Sequence, residues 1–148
     1  MGKSRVLFVC IHNSGRSQMA EAWLNTLAGD RFEAESAGFE PGNLNPTVVQ
    51  AMADGGVDIS RNKTKSVFDL FKQGRRFHYV ITVCDESNAE ACPVFPGTVT
   101  GRIHWNFRDP SGFKGSLEER LEQTKTVRDQ IKTKIQEFIG GVVPNAGR

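Results

Sequence analysis

The sequence predicts an α/β fold, a single domain built on a parallel sheet with helices on both faces, and three observations lead there. Apolar runs of strand length alternate along the chain with segments whose apolar residues recur at helical spacing. The clearest runs are apolar without interruption, as in strands buried on both faces. With 148 residues, 38% of them hydrophobic, the chain suits one domain around one core. In folds of this class ligands bind beyond the carboxyl ends of the strands, so residues at those ends are the first candidates for function.

The elements follow in order. RVLFVC, Arg5 to Cys10, is the first strand. A helix is expected from about Ser17, because Met19, Ala20, Trp23, Leu24 and Leu27 repeat on one face and Gly29 is placed to end it. Phe32 to Ser36 is a second short strand. Asn45-Pro46 supplies an N-cap and a first-turn proline for a helix carrying Val48, Val49 and Met52 until Gly55-Gly56 stops it. Val67 to Phe71 is another short helix, and Arg75-Arg76 reads as a solvated corner. FHYVITV, Phe77 to Val83, is the strongest strand signal and delivers Cys84 to its end. Val99 to Trp105 is a shorter strand. Ser116 and Glu119 form a capping box ahead of a long helix carrying Leu117, Leu121, Val127, Ile131, Ile135 and Phe138 inward. The domain is expected to span 1–139, with 140–148 a loose tail.

Composition narrows the function. Lys and Arg number 19 against 17 Asp and Glu, a net charge of +2, too balanced for the broad footprint that nucleic acid or an anionic membrane requires. Any anion bound is expected to be small, and the chain is expected to work as a monomer. The apolar stretch after Lys3 and Arg5 is too short for a signal-peptide core, and no run of about 18 apolar residues occurs, so a cytoplasmic location is expected. Three cysteines without a C-x-x-C pair make neither a disulfide framework nor a zinc site.

The chemistry concentrates after the first strand. Between Cys10 and Arg16 lie Ile11, His12, Asn13, Ser14 and Gly15, and a helix begins at once. Backbone N–H groups in such a loop lack intrahelical partners and can converge on an oxyanion. Arg16 adds a planar fork matching two oxygens of a tetrahedral anion. The same positive field favours the thiolate of Cys10, the nucleophilic form, and Ser17 is placed to donate a hydroxyl hydrogen bond to it. A cysteine ending a buried strand is often only a small hydrophobe, and a C-x5-R spacing arises readily by chance. The strand before, the helix after and the polar loop between them favour catalysis.

The stretch VLFVCIHNSGRSQMAEAW resembles the signature of the low-molecular-weight protein tyrosine phosphatase superfamily, and more closely that of the thioredoxin-coupled arsenate reductases built on the same fold. The similarity continues in order through ESAGFEPGNLNP, DGGVDIS, VITVC with a following CP, and HWNFRDP, about 110 residues in all. It implies a three-layer α/β/α domain with a four-stranded parallel sheet, Cys10 as nucleophile, Arg16 as oxyanion binder and Asp109 as general acid. Read locally, Asp109-Pro-Ser-Gly is good turn chemistry in its own right.

Two activities are compatible with the loop. A phosphatase needs one thiolate, one acid and water, whereas reduction of arsenate takes two electrons and hence two thiols, with a third to present the disulfide to an outside reductant. The chain has three cysteines. The resemblance implies that Cys10 attacks arsenate, Cys84 attacks the adduct and releases arsenite, and Cys92 opens the Cys10–Cys84 bond. A Cys84–Cys92 disulfide is left for thioredoxin, or for glutaredoxin with glutathione; no bound cofactor is expected. DESNAEA between the two cysteines reads as a capped helical turn, which would hold their Cα atoms about 12 Å apart. A disulfide tolerates about 4.4–6.8 Å, so a redox-driven switch is expected there.

Some features depart from the resemblance. DPSG lacks the tyrosine pair that commonly follows the DP of the tyrosine phosphatases, and only Trp105 and Phe107 are at hand to wall an aryl ring. Gly15 stands where many such reductases carry a further cysteine, and Cys84 and Cys92 are one residue further apart than expected. Some members bind potassium through an Asn, a Glu, a Ser and an Asp; Asn13, Glu21 and Ser36 match, but Thr64-Lys65-Ser66 lacks the aspartate and Lys65 can replace its charge. His78 and His104 read as structural, and His12 as pointing to solvent. Arsenate reductase is the preferred expectation, a phosphatase of the same fold the second, and a non-catalytic oxyanion-binding or redox-sensing module the third.

Overall fold

In the computed structural model, which describes residues 2–84 and 99–142, the strand β1 (Ser4–Cys10) pairs in parallel with β2 (Phe32–Gly38) on one side and β3 (Phe77–Cys84) on the other. Strand β4 (Val99–Asn106) adds in parallel beyond β3, giving the order β2-β1-β3-β4. The helices are α1 (Arg16–Ala28), α2 (Pro46–Asp54), α3 (Val67–Lys72) and α4 (Leu117–Gly141), with a 3₁₀ turn at Pro110–Gly112. The expected α/β fold with a four-stranded parallel sheet is therefore the one observed.

The apolar runs are explained by burial on both faces. Val6, Phe8, Ile81 and Val83 pack with residues of α1, α2 and α4, while Leu7, Val9 and Val80 pack with Val67 and Leu70 of α3. Phe8 and Leu7, adjacent in β1, are fully buried on opposite faces, and each burial contributes roughly 1.5–3 kcal/mol. Caps fix the helix starts: Asn45 Oδ1 accepts from Thr47 N, Ser66 Oγ from Phe68 N, and both halves of the Ser116/Glu119 capping box are formed.

Four expectations change. Leu117 is 64% exposed and Leu121 only half-buried, because the buried stripe of α4 starts at Thr124 and its first two turns run clear of the core. Gly140 belongs to α4 rather than to a tail. Of the expected solvated corner, Arg76 is exposed, whereas Arg75 is half-buried and pairs with Glu35, which also takes Arg5 at 3.7 Å. Trp105 is buried against Phe8 and Phe138 at 5.8 and 6.1 Å between ring centroids, so it is core and not an aryl-binding wall. The expected helical turn between Cys84 and Cys92 lies outside the described residues, as does the end of the tail. Among the described residues no helix is long and apolar enough to cross a membrane.

Candidate active site

From β1 the chain runs through α1 to β2 on one side, and later crosses to β3 on the other. A crevice opens at such a switch point, beyond the ends of the two central strands. The loop from Cys10 to Arg16 starts there, and its carbonyls are all engaged outside it. Cys10 O accepts from Phe39 N, Ile11 O from Glu40 N, His12 O from Gly42 N and Ser14 O from Asn45 N. Asn13 O accepts from Gln18 Nε2, and Gly15 O from Met19 N in the first turn of α1. In a trans peptide the N–H points opposite to the C=O, so the N–H groups of residues 11 to 16 are turned to the inner side of the loop. Asn13 N shows the result, donating to Cys10 Sγ at 3.0 Å.

That turn requires Asn13 at φ 56°, a left-handed conformation rare outside glycine. Its side chain holds it there. Nδ2 donates to Ser17 Oγ at 2.8 Å, and Oδ1 accepts from Gln18 Nε2 at 3.1 Å and Lys65 N at 3.0 Å. Ser17 Oγ, which accepts from Asn13, also shares a hydrogen bond with Cys10 Sγ, 2.9 Å away. The sulfur of Cys10, a free and buried cysteine, thus lies within hydrogen-bonding distance of both Asn13 N and Ser17 Oγ.

Arg16, 4% exposed, donates through Nη1 to Phe107 O at 3.3 Å and pairs through Nη2 with Asp109 Oδ2 at 3.3 Å. Asp109 also accepts from Ser111 N at 3.0 Å through Oδ1, capping the 3₁₀ turn. The turn reading of Asp109 is the one observed: one oxygen makes the turn, and the other faces Arg16. Cys84 ends β3 and is buried; Val9 lies level with Thr82, so Cys10 and Cys84 finish adjacent strands at one rim. Cys92 lies outside the described residues. His12 is exposed, with Nδ1 donating to Glu40 O at 2.9 Å, and Ile11 and Ser14 are half-buried in the loop. His78 and His104 serve the sheet, Nδ1 of His78 accepting from Arg5 N and Nδ1 of His104 meeting Thr82 Oγ1.

Two residues that shape the loop were not singled out by the sequence. A Cβ on Gly38 would lie 2.6 Å from Ile11 O, 2.8 Å from Asn13 N and 2.9 Å from His12 C, so the loop passes directly over this backbone. Gln18 is fully buried, gives Nε2 to Asn13 and to Lys63 O, and accepts from Asn62 Nδ2 at 3.1 Å. Its signal was a polar residue in the first turn after an anion loop, where a solvent-facing residue is the ordinary expectation.

The profile of the low molecular weight phosphotyrosine protein phosphatase family matches residues 5–145. The chain belongs to this family. Within the low molecular weight phosphatase family its similarities are with reductases as well. The arsenate reductase of Bacillus subtilis (strain 168) is 40% identical over 133 residues, 90% of this chain and 93% of its own. A solved structure described as an arsenate reductase in the phosphate binding state superposes with a TM-score of 0.78 at 29% identity, covering 95% of this chain and 99% of that one. The thioredoxin-dependent arsenate reductase of Corynebacterium glutamicum, 31% identical, gives a TM-score of 0.58 over 92% of this chain and 63% of its own.

Proposed function

We propose that this low molecular weight phosphatase-family chain is an arsenate reductase. The observation that carries the reading is a loop whose N–H groups turn inward around the sulfur of Cys10, with a second cysteine, Cys84, ending the neighbouring strand. Relatives named arsenate reductase at 40% identity over most of the chain support it. Arsenate is held by the loop N–H groups of Ile11, His12, Asn13, Ser14 and Gly15 and by the fork of Arg16. The thiolate of Cys10 attacks arsenic, an As–O bond breaks, and the oxygen leaves as water with a proton from Asp109. Cys84 thiolate then attacks Cys10 Sγ. The S–As electron pair passes to arsenic, which leaves as arsenite, two electrons reduced, and a Cys10–Cys84 disulfide forms. Cys92 thiolate attacks Cys84 Sγ, frees Cys10 and leaves a Cys84–Cys92 disulfide for an external dithiol, thioredoxin in our reading. A cytoplasmic location suits a reaction that draws on thioredoxin.

The test is arsenate-dependent NADPH oxidation with thioredoxin and its reductase. Wild type is expected to turn over, and Cys84→Ser and Cys92→Ser to stop after at most one cycle; normal cycling by both variants would sink the relay. The family itself supports a second reading, phosphomonoester hydrolysis through a Cys10 phosphocysteine, because arsenate and phosphate are near-isosteres. Under that reading Cys84→Ser leaves the physiological activity intact and Cys10→Ser abolishes it.

A further inference from the structure

The potassium site implied by the sequence resemblance would need oxygen ligands from Asn13, Glu21, Ser36 and an aspartate. The residues present do not fit one. Asn13 Oδ1 accepts from Gln18 Nε2 and from Lys65 N. Ser36, fully buried, spends its hydroxyl proton on Glu21 Oε1 at 2.7 Å. The Lys65 ammonium lies 3.7 Å from that same Oε1. Where a monovalent ion would balance Glu21, the chain supplies its own cation.

We propose that Lys65 is a built-in cation and a positioning residue for the anion loop, and that the protein is indifferent to potassium. Glu21 is largely withdrawn from water, its side chain 18% exposed, so its charge needs a fixed partner. Lys65 provides that partner at Nζ while its backbone N–H anchors Asn13. From Asn13 the connection to the nucleophile is short: Asn13 N donates to Cys10 Sγ, and Asn13 Nδ2 donates to the Ser17 hydroxyl that is hydrogen-bonded to the same sulfur. The Lys65 segment is itself pinned beneath the loop, since Lys65 O accepts from Gly38 N at 2.8 Å and Lys63 O from Gln18 Nε2. Removing the ammonium leaves Glu21 uncompensated next to this segment and loosens Asn13. An aspartate in its place would instead recreate a site that only a bound cation can neutralise.

The inference rests on Cys10 being the nucleophile and not on arsenate reduction, so its readouts need no turnover. They are the Tm of the full chain in potassium, sodium and choline chloride at equal ionic strength, and the rate of iodoacetamide alkylation at Cys10, followed by mass spectrometry at neutral pH. Wild type is expected to melt at the same temperature in all three salts. Lys65→Met is expected to alkylate about 5–10-fold more slowly in every salt, the loss that accompanies loosening one hydrogen bond to the sulfur. Lys65→Asp is expected to gain a potassium-selective rise in Tm together with recovery of the alkylation rate, which a merely structural lysine would not produce. A wild-type Tm that rises selectively in potassium overturns the proposal, as does a Lys65→Met variant alkylated at the wild-type rate or a Lys65→Asp variant indifferent to potassium. Should Lys65→Met fail to fold, the wild-type salt series and Lys65→Arg, expected to behave as wild type, still decide it.

Discussion

Replacing Gly38 by alanine tests the placement of the anion loop more severely than any change within the loop. The added Cβ would lie 2.6 Å from Ile11 O, and ordinary van der Waals contact begins at 3.4 Å, so the loop must retreat by about 0.8 Å. The three atoms it meets are all backbone, so no side-chain rotation relieves the overlap. One of them is Asn13 N, the donor to Cys10 Sγ at 3.0 Å, which at 2.8 Å from the added Cβ must itself move by about 0.6 Å, enough to weaken that bond. Overpacking of this kind costs about 1–3 kcal/mol in stability. A displacement near 1 Å among groups that orient a reacting atom costs about 10²-fold in rate. Urea melts should therefore show a moderate loss, while Cys10 alkylation and kcat/KM for arsenate fall by one to two orders of magnitude, about 10–100-fold. A Gly38→Ala protein with wild-type alkylation and turnover would refute the claim that the loop rests on this backbone.

Gly15→Ala should do little by comparison. Its Cβ meets only Val48 Cγ2 at 3.3 Å, a side-chain atom able to give, so Cys10 alkylation is expected to stay within about twofold of wild type. Asn13→Ala removes the donor to Ser17 and the acceptor for Lys65 N, and leaves alanine at φ 56°; urea denaturation should show a loss of about 2–4 kcal/mol. Glu119 is held below its ordinary range of 4.5 by the Ser116 backbone N–H first and the Ser116 hydroxyl second. Its ionised form is thus favoured in the folded state, and that stabilisation is present above the unfolded value and lost as pH falls through the folded one. Glu119→Gln keeps a capping side chain without the charge, so its Tm should decline less steeply than wild type as pH drops from about 5.5 to 3.5.

The elements were legible because each carries a local signal. RVLFVC and FHYVITV are apolar on both sides because helices cover both sides, and Asn45, Ser66 and Ser116 mark helix starts through short-range hydrogen bonds. The loop from Cys10 to Arg16 was legible as a strand-to-helix connection for the same reason: strand, polar loop, arginine and helix follow one another in sequence. What was missed depends on contacts between distant segments. Gly38 supports the loop from β2, and Gln18 is buried because Asn62 and Lys63, over forty positions away, come back to meet it. Leu117 was misread for a related cause, since a helical stripe gives the face that is apolar but not how far along the helix a core extends to cover it.

The pleat adds a constraint on the proposed relay that neither the motif nor the shared rim conveys. Successive residues of a strand face opposite sides, so Cys10 continues the side of Val6 and Phe8, beneath α1 and α4. Cys84 continues the side of Val80 and Thr82, the side that α3 covers. Adjacent strands run about 4.8 Å apart, which makes the two cysteines close along the rim while their Cβ atoms leave the sheet in opposite directions. Formation of a Cys10–Cys84 bond then requires the end of β3 to turn over. Among the bonds opposing that turn are the ladder between Cys84 and Asn106 and the hydrogen bond from Phe107 N to Cys84 O. Phe107 is also the residue whose carbonyl accepts from Arg16. In the proposed relay the guanidinium that would bind the oxyanion and the strand end that would deliver the second thiol are therefore linked through one residue, so the departure of Cys84 from the ladder and the hold of Arg16 bear on the two sides of Phe107.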